Sequence, residues 1–197
     1  MPHMVLHLDG SSCLGAERGR CIGWAVVAHF DGAQHERHGA LAGDYNGSHE
    51  LVALVEGVRL AHAHGFAPQD VSLYTDDQVL GNAPWFFHPG NFKQNQVDAV
   101  TAKLRYLTRR VYDDATHELV LRYLREARIQ WVKGHNFCVD QERCDYLAKH
   151  AAWSLVGRVQ QPLLAFEAWL EGGIAYYEAP TDYRTWYAPF CGPNPLA

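Results

Sequence analysis

The sequence predicts an α/β fold: a five-stranded mixed sheet, three antiparallel strands followed by two parallel ones, flanked by helices and trailed by an aromatic-rich C-terminal extension. Three observations predict it. Strand-like apolar runs open the chain with no helical pattern between them; from residue 48 onward helical periodicity alternates with short strand-like runs; and after Gly157 both give way to aromatics and prolines. A chain of 197 residues, 48% apolar and 20% charged, can bury one substantial core and does not need two ordinary domains. We therefore assign residues 1–156 to one domain and 157–197 to an extension packed on it.

Residues 4–9 (MVLHLD) and 21–30 (CIGWAVVAHF) read as strands, and GSSCLGAERG between them as a glycine-rich turn, giving a hairpin. Residues 34–41 alternate too weakly for a central strand and are placed at an edge. Over residues 48–64, Leu51, Leu54, Val55, Val58 and Ala61 follow the helical period, with Gly65 where a C-terminal cap belongs. Residues 71–75 (VSLYT) and 129–133 (IQWVK) read as buried strands, each reached through helical sequence, which makes them parallel to their neighbours. Val97, Val100, Leu104, Leu107 and Val111 mark one intervening helix and residues 119–127 another, and residues 140–155 form the last helix of the domain.

Composition narrows the class of function. No uninterrupted apolar run reaches the length of a signal or membrane-spanning segment, so a soluble cytoplasmic protein is expected, with no membrane partner. Five scattered cysteines without a CxxC pair suit neither a disulfide framework nor a zinc site, and are read as free thiols. A net charge of −5 offers no global attraction to phosphates, so any nucleic-acid contact must come from a local basic face or from bound metal.

Four acids stand where a globular chain has little reason to put a carboxylate. Asp9 ends an apolar strand on the face of Val5 and His7, and Asp76 ends VSLYT on the face of Ser72 and Tyr74. Glu50, in the first turn of its helix, borders the face of Leu54 and Gly57, where the glycine permits close approach; Asp145 lies beside Ala148 and Ala152. Converging carboxylates repel unless cations neutralise them, and hard oxygen donors suit magnesium or manganese. Taken singly, each acid is more often a turn former or a helix-dipole partner. Asp77 is read as starting the next helix rather than as a ligand.

Four segments resemble the type I ribonucleases H, in the family's order, over about residues 4–153. LDGSS at 8–12 is similar to the family's first-strand motif, NGSHELVALVEGV at 46–58 to the helix with the second acid, and YTDDQ at 74–78 to its T-D-x-Q element. WVKGHNFCVDQERCDYLAKHAA at 131–152 resembles the K-G-H loop followed by the family's last aspartate. The resemblance implies a ribonuclease H-like fold and an endonuclease that cuts the RNA strand of RNA/DNA hybrids, leaving 5'-phosphate and 3'-hydroxyl ends. It implies two Mg2+ ions, for which Mn2+ substitutes, held by Asp9, Glu50, Asp76 and Asp145, with His135 moving protons or aiding product release. It also implies that Gly10, Ser11, Ser12, Asn46 and Gln78 contact the hybrid, where the 2'-hydroxyl marks the RNA strand. Lys103, Arg105, Arg109 and Arg110, off the apolar stripe of their helix, make a candidate phosphate-binding face.

The chain departs from the family's pattern in three places. GNAPWFFHPGNF stands where many members carry a basic, tryptophan-containing protrusion, Gly47 replaces a usual second Asn, and the tail after Gly157 has no counterpart. Two other readings use the same residues. A related two-metal nuclease of the integrase, resolvase or exonuclease kind would keep the fold and change the substrate, but the K-G-H loop with ERCD argues against it. A non-catalytic nucleic-acid-binding domain would be expected to have lost an acid, and all four are present. No obligate protein partner is inferred.

Overall fold

The computed structural model describes residues 2–15, 19–43, 45, 48–81, 94–133, 138–158 and 162–172. Strands β1 (Met4–Gly15), β2 (Gly19–Phe30) and β3 (Ala33–Ala42) form an antiparallel meander; α1 (His49–Ala63) then crosses over to β4 (Val71–Thr75), parallel to β1. Helices α2 (Gln78–Gly81), α3 (Gln94–Val111) and α4 (Asp114–Glu126) precede β5 (Arg128–Trp131), parallel to β4, and α5 (Val139–Leu155) and α6 (Phe166–Gly172) follow. The strand order β3-β2-β1-β4-β5 is the mixed sheet the sequence predicts, with β3 at one edge.

Local chemistry explains most boundaries. Asp31 (φ 53°) and Gly32 (φ 73°) supply the two left-handed residues that a tight hairpin between β2 and β3 requires. Gly65 (φ 77°) ends α1 as expected, while the Phe66 amide reaches back to the Ala61 carbonyl. Helix α4 begins at Asp114, ahead of the expected residue 119, because the Asp113 carboxylate accepts from the Thr116 amide at 2.7 Å and caps it.

Three expectations need correction. The first six residues of the glycine-rich segment after Asp9 are strand and not turn: β1 runs on to Gly15, pairing Gly10 with Trp24 and Cys13 with Cys21, although these small residues carry no hydrophobic alternation. Strand β5 is not a buried strand ending at Lys133; it stops at Trp131, and only Ile129 is buried, because β5 is the outermost strand and has one neighbour. Cys13, Cys21 and Cys144 are free thiols, but Cys138 is disulfide-bonded.

The sheet is packed on both faces. On one, Met4, Leu6, Leu8, Ile22, Val26 and Ala28 meet α1, Leu104 and Leu107 of α3, and Val120 and Leu124 of α4. A β-carbon on Gly57 would lie 2.5 Å from Leu8 Cδ2, so this glycine lets α1 lie directly on β1. On the other face Ala25 and Val27 meet Cys144, Leu147 and Ala148 of α5, and a β-carbon on Gly23 would fall 1.9 Å from the Ala148 carbonyl oxygen. No helix among the described residues is long and apolar enough to cross a membrane.

Candidate active site

The pairing of β1 with β4 places two acids side by side. Leu8 is opposite Thr75 in the parallel ladder, so Asp9, midway along β1, and Asp76, just past the carboxyl end of β4, are neighbours, and the end of such a strand is where open α/β sheets bind ligands. Glu50 reaches the same point from the first turn of α1. A β-carbon on Gly10 would lie 2.3 Å from the His49 carbonyl carbon, so only glycine lets α1 start against β1, and the Gly10 amide donates to Glu50 Oε2 at 3.1 Å. Oxygen atoms of Asp9, Glu50 and Asp76 lie within 4.8 Å of one another.

Electrostatics register this crowding. Burial first, then the charges of Glu50, Asp76 and Asp145, raise the Asp9 carboxyl well above the usual carboxylate range, against the pull of the Gly10 amide. Glu50 is raised in the same way by burial and then by Asp76 and Asp77, opposed by the Gly10 amide and by Asp9. These groups share protons as a set rather than titrating singly. A cluster of oxygen donors in which each charge raises the next is what a divalent cation relieves, so the donor set fits Mg2+ or Mn2+ and not a thiol-seeking metal.

Asp145 is placed differently. Its charge is felt at Asp9, but its Oδ2 atom accepts from Lys149 Nζ at 2.6 Å, one helical turn on, and it does not join the tight group of three. Asp77 starts α2 as expected, its Oδ1 atom accepting from the Leu80 amide at 2.8 Å. Of the residues expected to contact substrate, Gly10 has its amide on Glu50, Ser11 is half-buried, and Ser12 and Gln78 are exposed. Asn46, His135 and residues 82–92 of the GNAPWFFHPGNF segment, Trp85 among them, lie outside the described residues.

Several supporting residues were assigned no role by the sequence. Trp131 donates its indole N–H to the Asp76 carbonyl at 2.9 Å. Gln141 Nε2 donates to the Leu8 carbonyl at 2.9 Å and Cys144 Sγ to the His7 carbonyl at 3.1 Å, tying α5 to the residues just before Asp9. Beneath Asp9, buried His7 stacks on Tyr74 and lies 3.6 Å from Asp140, which accepts from His29 at 2.8 Å. Trp131, Gln141 and Cys144 fall within the segment at 131–152 that resembles the family, but that resemblance implied roles only for His135 and Asp145.

The RNase H family model matches residues 1–153. The chain belongs to the RNase H family. Among curated relatives, the Ribonuclease H of Nitratidesulfovibrio vulgaris is 32% identical over 157 residues, covering 78% of this chain and 92% of its own. The Ribonuclease H of Campylobacter curvus is 29% identical over 157 residues, covering 77% of this chain and 94% of its own. Among solved structures, LC11-RNase H1 in complex with RNA/DNA hybrid matches with a TM-score of 0.50 at 15% identity, covering 78% of this chain and 99% of that one, a likeness of fold. Since the RNase H family match ends at residue 153, the segment from residue 157 lies beyond it.

Proposed function

We propose that this protein is a magnesium-dependent endonuclease, working in the cytoplasm, that hydrolyses the RNA strand of RNA/DNA hybrids. The observation that carries the reading is the group of Asp9, Glu50 and Asp76, whose oxygens lie within 4.8 Å beside the carboxyl end of β4 in a chain of the RNase H family. In this reading residues 1–156 are the catalytic domain and 157–197 an extension on it, which the burial of Trp169 against Cys138 and Val139 supports.

Asp9 and Asp76, from adjacent strands, and Glu50, steered by the Gly10 amide, hold the cations, and Asp145 completes the set once it turns from Lys149. Divalent ions held there would supply Lewis-acid charge for an in-line displacement at phosphorus that leaves 5'-phosphate and 3'-hydroxyl ends. Gln78 and Ser12, both exposed, offer polar groups to the 2'-hydroxyl. Exposed Lys103, Arg105, Arg109 and Arg110 on α3 supply the cations for phosphates. His135 is assigned proton movement at the scissile bond, and Asn46 a contact to the hybrid.

The test is cleavage of an end-labelled RNA/DNA hybrid beside RNA/RNA and DNA/DNA duplexes, with magnesium, with chelator, and with Asp76→Asn. Cutting of the RNA strand of the hybrid alone, lost with chelator and with the variant, is the expected outcome. A hybrid that is bound but survives in both magnesium and manganese would falsify the assignment in favour of a binding domain.

A further inference from the structure

The segment beyond the family match is anchored on one side chain. Arg143, two residues before Asp145, is almost fully buried, with 1% of its side chain exposed. Its Nε and Nη2 atoms donate to the two carboxylate oxygens of Glu36 on edge strand β3, at 2.9 and 2.8 Å. Its remaining nitrogen, Nη1, has no hydrogen-bond partner among the described residues. Three rings surround the guanidinium instead: Tyr146 and Trp169 with centroids 5.3 Å away and Phe166 at 5.9 Å.

Two of those rings come from α6. Trp169 is buried against Cys138 and Val139, where α5 begins, and the Leu164 amide donates to the Tyr146 hydroxyl at 3.1 Å. A guanidinium withdrawn from water with one carboxylate partner is costly unless its other faces meet electron-rich rings. Here α6 supplies them. The opposite side of the same two turns of α5 is bonded to β1 through Gln141 and Cys144, next to Asp9. The turns leading to Asp145 are thus held between β1 on one side and the Arg143 cage on the other.

We propose that α6 is a clamp on the active site, in which Phe166 and Trp169 act as positioning residues. By closing the cage on Arg143 and shielding the guanidinium of its Glu36 bridge, they fix the first two turns of α5 and so the distance of Asp145 from Asp9. The inference rests on the reading that Asp145 belongs to the cation site. Small displacements matter there, because cation ligands must be held to within a fraction of an ångström.

The test uses the full chain and titrates Mn2+ alone by calorimetry, without nucleic acid, for the wild type, Trp169→Ala, Trp169→Phe, Phe166→Ala, Asp145→Asn and the Trp169→Ala/Asp145→Asn double variant. Trp169→Ala is expected to weaken cation binding about fivefold, with Trp169→Phe restoring most of it, and to change affinity less than about twofold once Asp145 is already Asn. On a hybrid substrate the same loss appears in kcat, with KM little changed. If Trp169→Ala does not fold, Phe166→Ala gives the same reading with a smaller effect. Variants that melt earlier yet bind Mn2+ as the wild type does would reduce α6 to packing and overturn the clamp, as would an undiminished Trp169→Ala effect in the Asp145→Asn background. An Asp145→Asn protein that binds Mn2+ as the wild type does refutes the place of Asp145 in the site, and the clamp with it.

Discussion

Replacing Asp9 by Asn should stabilise the cation-free protein and abolish its response to magnesium. Asp9 is 4% exposed, and Glu50 and Asp76 each place an oxygen within 4.8 Å of its own. At that separation two unit charges repel by about 3.5 kcal/mol at an effective dielectric of 20. Partial protonation relieves part of this, because burial and the neighbouring acids raise the carboxyl group of Asp9 and that of Glu50. An acid raised in the folded state favours folding below its unfolded value near 4 and loses that contribution as pH rises through the folded value, so the strain in the wild type grows as pH rises. Removing one charge should recover about 1–3 kcal/mol, and at about 2–4 °C per kcal/mol for a chain of this size Tm should rise by roughly 2–12 °C in chelator. With magnesium at a hundred times its Kd the wild type gains about 2.7 kcal/mol and the Asn variant does not, so the gap between the two melting curves closes or reverses. Thermal melts in chelator and in magnesium check this. An Asp9→Asn protein that melts at or below the wild type in chelator would show that the three carboxylates do not strain one another, and the argument for a cation would lose its footing.

Burial lowers the His7 imidazole to about 4, with Asp140 opposing and His29 assisting. A base depressed in the fold stabilises above its unfolded value of 6.5 and loses that contribution as pH falls towards 4, so denaturant titrations should lose about 3 kcal/mol across this window, a loss absent from His7→Gln. Gly23→Ala should leave no folded protein by circular dichroism, since its β-carbon would stand 1.9 Å from the Ala148 carbonyl oxygen in backbone packed from both sides. Lys149→Met frees Asp145 from its internal cation and should tighten Mn2+ binding about two- to fivefold in calorimetry; unchanged or weaker binding would mean that Lys149 does not compete for that carboxylate.

The sequence by itself determined the order of strands and helices, the placement of β3 at an edge, the cap at Gly65, and the candidate acids. These are written in residues whose meaning is local: a helical period over residues 48–64, an Asp that caps the helix after it, and a glycine where α1 lies on Leu8. The tertiary structure decided what depends on residues far apart in the chain. Whether GSSCLG is turn or strand depends on pairing with residues 19–24, and small side chains leave no alternation to announce it. Whether β5 is buried depends on its place in the sheet, and its apolar run of residues looks the same at an edge as at the centre. Gly10 is required because α1 begins against it, and Glu50 is held for the same reason. The tight group is three acids, with Asp145 turned to Lys149, because a side chain's rotamer answers to its nearest charge and not to its motif. Arg143 looks in the sequence like any surface arginine of a helix, and it is buried because Glu36, 107 residues earlier, and two rings from a later helix close around it.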